Sequence, residues 1–243
     1  YLAKDPIANV LPLGDLYSPL FEVSTVYSAF ENKRIVGVCS VFRGLSKPSL
    51  VFGTATSEVK KILVEKAMTQ ISDDFISPCQ PDEIEILKEY ATLLHLYTEH
   101  QMITYRPRKT EYNRKIVKRV LRDELKQLDE FYVKHHSEAW SPLQFKIGPF
   151  FCVKQEGRIV SAAGVHLLTP QIAQLGNIFT DEAWRKHGFA TACTSVLASN
   201  LASKGRIISL FVKTDNTSAI SVYEKLGFSK NRDISFAVMR KRP

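Results

Sequence analysis

The sequence predicts an α+β protein in which a mixed, largely antiparallel sheet is flanked by helices. Three observations predict this fold class. The earliest β-rich runs are joined by short turns, later strands alternate with amphipathic helices, and the same order of elements occurs twice along the 243 residues. Strands joined by tight turns pair antiparallel, whereas strands joined through a helix return parallel. We therefore expect two similarly built halves.

The amino-terminal half begins with two β-rich runs that flank a polar turn, which is typical of a hairpin. A helix is expected next because its apolar residues recur at helical spacing, with Ser57 as the expected N-cap. In chain order, the expected elements are strands 25–30, 35–42 and 49–54, a helix 57–71, a short strand 74–78, a helix 81–91 and a closing strand or strand pair 94–105.

The carboxy-terminal half repeats this order with a clearer pattern of alternating and helical apolar spacing. In chain order, the expected elements are a strand 115–121, a helix 122–136, a hairpin of strands 150–155 and 158–168, a strand 174–180, a helix 188–204, a strand 207–213, a helix 218–226 and a strand 235–240. The linker between the halves is polar, so we expect an amino-terminal domain over 1–109 and a carboxy-terminal domain over 110–243.

Charge separates the two halves. Residues 1–109 carry a net charge of −1 and residues 110–243 a net charge of +9, within a total of +8. The basic residues of the second half are scattered and lack the interleaved aromatic side chains that stack on bases. Nucleic acid is therefore not expected as the main partner, although an RNA-bound acceptor remains a third idea. A basic half also suits an anionic cofactor.

Composition indicates a soluble protein. No apolar run approaches the roughly 18 residues needed to cross a bilayer, so no membrane partner is expected. The four cysteines are far apart and form neither a CxxC pair nor a zinc-ligand spacing. Free, buried thiols are expected, which favours a reducing cytoplasmic location and no metal. The neighbouring pair His135 and His136 is not expected to bind metal, because adjacent helical side chains point in different directions.

One short segment has the composition of a phosphate cradle. It follows the strand 174–180 and opens the long helix 188–204. The amide groups of a first helical turn lack internal partners and lie at the positive end of the helix dipole, so they can bind a pyrophosphate. The expected cradle residues are Arg185, Lys186, His187, Gly188, Phe189 and Ala190. On its own this pattern also fits an ordinary helix start with a solvated basic face.

A second segment, 216–228, changes that balance. Asn216 ends a strand-to-helix loop, and Ala219 and Tyr223 share a helix face with Leu226. Gly227 is expected to stop the helix in a left-handed conformation, after which Phe228 returns to the core. The pattern Arg-x-x-Gly-x-Ala, then a strand, then Asn-x-x-Ala-x-x-x-Tyr-x-x-x-Gly-Phe resembles the GNAT acetyltransferase superfamily. The resemblance is strong over about 150–240, and it extends to a subgroup with a degenerate GNAT-like amino-terminal half.

The resemblance implies acetyl-CoA as co-substrate and transfer of its acetyl group to an amine by direct attack in a ternary complex. The backbone of Ile178, Phe179 and Thr180 would bind the pantetheine arm and the cradle would bind the pyrophosphate. Asn216 and Ala219 would lie along the coenzyme. Tyr223 would protonate or stabilise the leaving thiolate, although a core aromatic is the alternative role for this residue.

The general base is not apparent. Many members of this family use a glutamate on or near the fourth strand of the fold, but the segment 174–180 contains no carboxylate. The candidates are His166 on the preceding strand, Asn177 as a residue that positions water, and Asp181 or Glu182 just past the strand. A satisfied core histidine is the commoner role for His166.

The acceptor stays open between a small-molecule amine and a protein amino group, as does the choice between acetyl and longer acyl groups. Trp140 and Phe145 fall where acceptor specificity often resides in this fold, but hydrophobic packing explains them equally well. The missing carboxylate motivates an alternative function, a non-catalytic acyl-CoA-binding or sensor protein. The amino-terminal half lacks the glycine cradle, so no coenzyme site is expected there. A monomer is expected, because two halves in one chain could mimic a dimer.

Overall fold

The structure is a computed structural model that describes residues 1–111 and 114–242. The chain divides into two compact units. One comprises Tyr1–His100 together with the chain from Asp233 on, and the other comprises Gln101–Arg232. The mixed, largely antiparallel strands flanked by helices confirm the predicted fold class. In the described part of the chain, no helix has the length and apolar character required to span a bilayer.

The amino-terminal unit begins with a short helix and continues through alternating strands and helices. Its elements are α1 (Val10–Gly14), β1 (Ser24–Glu31), β2 (Arg34–Phe42), β3 (Ser49–Phe52), α2 (Ser57–Ala67), β4 (Asp74–Cys79), α3 (Pro81–Lys88) and β5 (Ala91–Thr104), whose last residues belong to the other unit.

The carboxy-terminal unit contains the longest helix of the described residues. Its elements are β6 (Lys118–Arg119), α4 (Leu125–Lys134), β7 (Phe150–Gln155), β8 (Arg158–Leu168), β9 (Ile172–Thr180), α5 (Phe189–Ala202), β10 (Ile207–Lys213), α6 (Thr217–Lys225) and β11 (Ser229–Lys241), which leaves this unit after Arg232.

The strand pairing in the amino-terminal unit follows the connections. The hairpin β1–β2 and the pair β2–β3 are antiparallel, β3 and β4 are parallel across the helix α2, and β11 lies antiparallel beside β4. A buried apolar cluster that includes Val64, Phe75 and Leu87 joins α2 and α3 to this sheet. The amphipathic pattern of α2 and α3 therefore provides the core of this unit.

In the carboxy-terminal unit, β6, β7, β8 and β9 are antiparallel neighbours in that order, and β10 is parallel to β9. Two apolar clusters cover the two faces of the sheet. One contains Leu197 and Leu201 of α5 with alternate residues of the strands, and the other contains Leu128 and Tyr132 of α4 with Phe150. The sheet is thus buried on both sides where it carries the predicted site.

Several element ends differ from the predictions. The helix expected over 57–71 begins after Thr56, which replaces Ser57 as N-cap, and ends at Ala67 before a 3-10 turn. The helix expected over 81–91 ends at Lys88 because Ala91 already lies buried in β5. The strand expected over 115–121 is reduced to Lys118–Arg119, since a 3-10 turn precedes it.

Further differences between the predicted and observed element ends lie later in the chain. The helix expected over 122–136 is α4 preceded by a 3-10 turn, and the positive φ of 51° at His136 ends it. The final strand starts at Ser229 rather than at 235, because a polar run precedes its apolar part. The division between the units falls at 100/101, nine residues before the predicted boundary at 109/110, since β5 continues across it. All four cysteines are buried and free, as predicted.

Candidate functional site

The parallel strands β9 and β10 separate partway along their length. Their register runs from Ile172 opposite Ile207 to Leu175 opposite Leu210, and it ends there although β9 continues to Thr180. On the β10 side, the backbone groups of residues 176–180 consequently have no ladder partners in that register. Such a strand end can hydrogen-bond an extended ligand as an added strand would. Ile178, Phe179 and Thr180, the predicted pantetheine contacts, all lie in this segment.

A β-bulge bends β9 at the point of separation. Ala162 lies opposite Phe179 and Gly164 opposite Gly176, so two residues of β9 face one residue of β8. Within the bulge, Asn177 has a φ of +52°, a left-handed conformation that a residue with a side chain adopts at some cost. Such strained positions persist only where the surroundings hold them and often mark functional sites.

Three side chains hold Asn177. The Tyr132 hydroxyl donates to its carbonyl oxygen at 2.5 Å, and its own Nδ2 donates to Gln144 Oε1 at 2.7 Å. The Ser137 hydroxyl lies 3.4 Å from its Oδ1. Asn177 was predicted to position water, but its side chain is committed to Gln144 and Ser137. Its contribution in this arrangement is to shape β9.

The predicted phosphate cradle lies directly after β9. A 3-10 turn, Glu182–Trp184, leads to Gly188, which has a φ of +71° and is the N-cap of α5. Lys186 is also left-handed, with a φ of +65°. The first helical hydrogen bond of α5 runs from the Ala192 N–H to the Gly188 carbonyl, so the N–H groups before Ala192 have no acceptor inside the helix. Free first-turn amides together with the helix dipole are able to bind an anion.

Glycine is needed at position 188 because the left-handed conformation and the close approach of a ligand both disfavour a side chain. The first turn of α5 contains no acidic residue, and no side chain caps it. Lys186 is exposed and has no ion-pair partner among the described residues. The backbone geometry and the local charge therefore both favour an anion at this helix start.

The other cradle side chains are already in contact with protein. Arg185 lies with Nη1 3.1 Å from Glu182 Oε1 and with its guanidinium carbon 5.8 Å from the centre of the Phe179 ring. The ring of His187 lies against the rings of both Trp184 and Phe189, at centroid distances of 6.0 and 5.6 Å. Phe189 is 6% exposed, so its side chain belongs to the core.

The second predicted motif lies on α6. Asn216 caps this helix, and its Oδ1 accepts from the Ala219 N–H at 3.2 Å and from the Ser218 hydroxyl at 3.1 Å. Tyr223 is 7% exposed and its ring lies 6.0 Å from Phe228. Tyr223 belongs to the same apolar cluster as Phe189, against which Ile178 and Ala219 also pack. The two motifs thus converge on one cluster beside the open end of β9.

His166 lies on β8 beside Gly176. A Cβ atom at Gly176 would come within 2.9 Å of His166 Cβ, so the ring packs over the first residue beyond the paired part of β9. Its Nδ1 is 2.7 Å from Gln144 Nε2. Burial lowers the pKa of His166 to about 4, which leaves the ring neutral at pH 7. Because this pKa is low and Nδ1 is covered, the geometry does not favour His166 as the base.

The two acidic candidates are also engaged. Asp181 Oδ2 is 3.0 Å from Lys134 Nζ, and Oδ1 accepts from the Ala183 N–H at 3.3 Å. The hydrogen bond from Lys134 lowers the pKa of Asp181 below its usual value, which makes it a weaker base. Glu182 is exposed and pairs with Arg185. Neither carboxylate is free to deprotonate an acceptor.

The remaining aromatic and histidine candidates have structural contacts. Trp140 is buried and donates from Nε1 to Asp129 at 2.8 Å, and Phe145 packs against Phe150 with a centroid distance of 6.0 Å. His135 lies on the Phe179 ring at a centroid distance of 4.6 Å. Within 1–111 and 114–242, no three His, Cys, Asp or Glu side chains are grouped as a metal site would require.

The sequence did not single out Tyr132 or Gln144. Tyr132 fits the apolar face of an amphipathic helix, and Gln144 fits the third position of a capping box opened by Ser141. Both are nevertheless buried against β9 and hydrogen-bond the bulge. The only sequence signal was a glutamine in a largely apolar neighbourhood.

Comparisons with known proteins agree with this geometry. Residues 155–237 match the family model described as FR47-like protein, a GNAT-related family. A protein assigned to the GNAT acetyltransferase family from Novosphingobium aromaticivorans superposes with a TM-score of 0.70 at 17% identity and full coverage of both chains. Residues 155–237 therefore resemble a GNAT-related family in sequence, and the chain has the fold of GNAT acetyltransferase structures. The sequence match lies in the carboxy-terminal part, and the likeness of fold extends over the whole chain.

Two further solved structures have the same fold as this chain. A GCN5-related N-acetyltransferase from Kribbella flavida superposes with a TM-score of 0.64 at 12% identity, covering 98% of this chain and 96% of that one. A tandem GNAT protein from the clavulanic acid biosynthesis pathway superposes with a TM-score of 0.58 at 11% identity, covering 97% and 88%. No curated protein matches the chain in sequence.

Proposed function

We propose that the carboxy-terminal half, expected over 110–243, is an acetyl-CoA-dependent N-acetyltransferase that acts by direct attack of an amine in a ternary complex. One observation carries the proposal: β9 separates from β10 immediately before a glycine-opened, uncapped helix start. This arrangement provides backbone donors for a pantetheine arm followed by a turn for a pyrophosphate. The end of β9 and the start of α5, which are close in sequence, would thus bind both the pantetheine arm and the pyrophosphate.

The residues present suit acetyl-CoA. The α5 amides after Gly188, together with Lys186, would hold the pyrophosphate, and the backbone of Ile178–Thr180 would hold the pantetheine arm. When bound, the coenzyme supplies a thioester carbonyl that an amine can attack. A backbone N–H of the separated β9 segment would stabilise the oxyanion that then forms.

Tyr223 is proposed as the proton donor to the leaving sulfur. Attack by the amine nitrogen forms a C–N bond, and the C–S bond breaks as the oxyanion returns to a carbonyl. The Tyr223 hydroxyl supplies the proton that the thiolate takes up, and it regains a proton from solvent. The excess proton on the attacking nitrogen leaves through water, because Asp181 is paired with Lys134 and His166 is neutral with Nδ1 covered.

A non-catalytic acyl-CoA-binding or sensor protein is the second candidate. The absence of a carboxylate from β9 favours it, and so does the packing of Tyr223 in an apolar cluster. Release of free thiol from acetyl-CoA that depends on an added amine distinguishes the two functions. Small-molecule amines and a lysine-containing peptide should both be tried, since the acceptor class is open.

The enzymatic proposal is tested by measuring amine-dependent release of free thiol from acetyl-CoA with wild type and with Tyr223→Phe. We expect kcat to fall by about 100-fold in the variant, the lower end of the range for a general acid. The coenzyme Kd measured by calorimetry should stay within about twofold, because the cradle is untouched. Binding without amine-dependent thiol release in wild type would establish the sensor function instead.

Three broader proposals accompany this one. The amino-terminal half is proposed to be a degenerate GNAT-like domain without a coenzyme site. The four free, buried cysteines favour a cytoplasmic protein in a reducing compartment. A monomer is proposed, and a mass near twice 27.5 kDa by light scattering would contradict it.

A further inference from the structure

Gln144 is a buried polar residue whose side chain contacts both His166 and Asn177 in the bulge of β9. Its side chain is 1% exposed, so each of its polar atoms requires a partner. Nε2 lies 2.9 Å from the Ala139 carbonyl oxygen and 2.7 Å from His166 Nδ1. Oε1 accepts from Asn177 Nδ2 at 2.7 Å and from the Ser141 N–H at 3.3 Å. All four contacts are within hydrogen-bonding distance.

Backbone groups determine which end of the Gln144 amide is nitrogen. The Ala139 carbonyl can only accept a hydrogen bond, so the atom facing it must be the amide nitrogen. The Ser141 N–H can only donate, so the atom facing it must be the amide oxygen. A flipped amide would place like groups together at both positions. The orientation is therefore fixed independently of His166.

This orientation determines the tautomer of His166. The Gln144 amide nitrogen is only a donor, so His166 Nδ1 must be the acceptor and cannot carry a hydrogen. A neutral imidazole then carries its hydrogen on Nε2. The hydrogen bonds of Gln144 thus leave His166 as a donor through Nε2. The nitrogen that could take up a proton, Nδ1, already accepts the hydrogen bond from Gln144.

His166 and Asn177 both border the place where β9 leaves β10. The His166 ring packs over Gly176, the first residue after the paired segment, and Asn177 is the next residue along β9. Gln144 bonds to both side chains. The Gln144 amide therefore links the orientation of the His166 ring to the shape of β9 at the point where β9 separates from β10.

We propose that Gln144 is a positioning residue that fixes His166 as an Nε2–H hydrogen-bond donor to the acceptor and at the same time holds the bulge at Asn177. The acceptor then carries an oxygen with a free lone pair near its amine, such as a hydroxyl or carbonyl oxygen, which receives the Nε2–H. The role toward the acceptor rests on the proposed function, whereas the tautomer does not.

The tautomer is tested by two-bond proton–nitrogen correlation spectra of ¹⁵N-histidine-labelled full-length protein at pH 7 without ligand. The chain has six histidines, and His166→Gln identifies the resonances of His166 by their loss. We expect the Nε2–H tautomer. A Gln144→Glu carboxylate should shift the hydrogen toward Nδ1, because it can only accept. An Nδ1–H or charged His166 in wild type would overturn the proposal.

The role toward the acceptor is tested by kinetics of His166→Gln and His166→Phe. The Gln amide nitrogen can reach near the Nε2 position, whereas Phe keeps the ring without a donor. We expect the KM for the acceptor to rise about 10-fold in His166→Phe and about threefold or less in His166→Gln, the scale of one lost hydrogen bond. The KM for acetyl-CoA should change little. A loss of kcat of about 100-fold in both variants would show a general base and overturn the donor role.

Gln144→Leu separates positioning from folding. It keeps the size of the side chain but removes every hydrogen bond, so both the tautomer preference and the acceptor KM should change. Thermal unfolding of the variant measures the purely structural effect. An unchanged tautomer and acceptor KM in a folded Gln144→Leu would overturn the proposal. If wild-type protein transferred no acetyl group, the proposed function would fail, and the spectra would still decide the tautomer.

Discussion

Each unit contains a strand followed by a turn and a helix, but the two helix starts differ in what occupies their amide groups. In the amino-terminal unit, α2 follows β3, and the Thr56 hydroxyl accepts from the Val59 N–H at 3.4 Å. Glu58 lies in the first turn, and hydrogen bonds from its own N–H and from Thr56 lower its pKa. In the carboxy-terminal unit, α5 begins at Gly188 with neither a capping side chain nor an acidic first turn.

The difference shows that a helix N-terminus alone does not make an anion site. In both helices the first-turn amides lack partners within the helix, and the dipole favours negative charge there. In α2 a hydroxyl and a carboxylate of the same chain already occupy that position, so an incoming phosphate would meet negative charge. In α5 the backbone is open and Lys186 lies beside it. We infer that this contrast, rather than the overall fold, separates the half proposed to bind the coenzyme from the other half.

The largest expected effect comes from closing the open helix start. Gly188→Glu introduces a side chain at a φ of +71° and a carboxylate where phosphate would bind. Coenzyme A affinity should fall by about 100-fold or more, since both strain and repulsion oppose binding. Gly205→Glu is the matched control, because Gly205 has a φ of +78° with no neighbouring atoms within 4 Å of an added Cβ. Equal losses in both variants would contradict a local cradle.

Charge reversal at the turn is expected to have a smaller effect. Lys186→Glu should weaken coenzyme A binding by about 10-fold at low salt, and the difference should shrink as salt is raised. Lys204→Glu makes the same change at an exposed position near the other end of α5 and should leave the Kd nearly unchanged. Similar shifts in the two variants would indicate a general field effect rather than a contact at the turn.

Removing the side chain that caps α2 tests the amino-terminal helix start of the comparison. Thr56→Ala removes the N-cap of α2 and should lower the free energy of unfolding by about 1 kcal/mol. Coenzyme A binding should not change, because this helix start is not part of the site. Chemical denaturation and calorimetry on the same preparation measure both quantities. A parallel loss of coenzyme affinity would place a binding contribution in the amino-terminal half.

The smallest expected effect concerns Arg185. Its guanidinium is paired with Glu182, so Glu182→Gln should release it toward the turn and tighten coenzyme A binding by about twofold. Glu130→Gln removes another exposed glutamate from a helical ion pair, with Lys126, and serves as the control. Weaker binding in Glu182→Gln would mean that Glu182 orients Arg185 usefully instead of competing for it.

The sequence predicted the parts of the site that depend on local spacing. Gly188 and the order of the two motifs lie within short segments, and local rules for helix starts and glycine conformation apply to them directly. The hydrophobic periodicity also predicted most elements of the carboxy-terminal half. The strand β11 is an exception, because its first residues from Ser229 are mostly polar and lack an alternating apolar pattern.

The parts that depended on distant contacts could not be predicted. Tyr132 and Gln144 reach Asn177 from 45 and 33 residues away, and nothing in their local pattern indicates that β9 is their partner. The low pKa of His166 arises from burial, which the alternating pattern of β8 does not specify. Sequence reasoning therefore predicted the glycine-opened helix start but not the hydrogen bonds that shape the strand beside it.

The central claim is that one half of this chain binds the coenzyme and the other half does not. The most direct test is a calorimetric titration of coenzyme A into the full-length protein, with wild type, Gly188→Glu and Gly205→Glu compared. The account predicts one site per chain in wild type and Gly205→Glu, and an affinity lower by about 100-fold or more in Gly188→Glu. Two sites per chain, or one site whose affinity Gly188→Glu leaves unchanged, would contradict it.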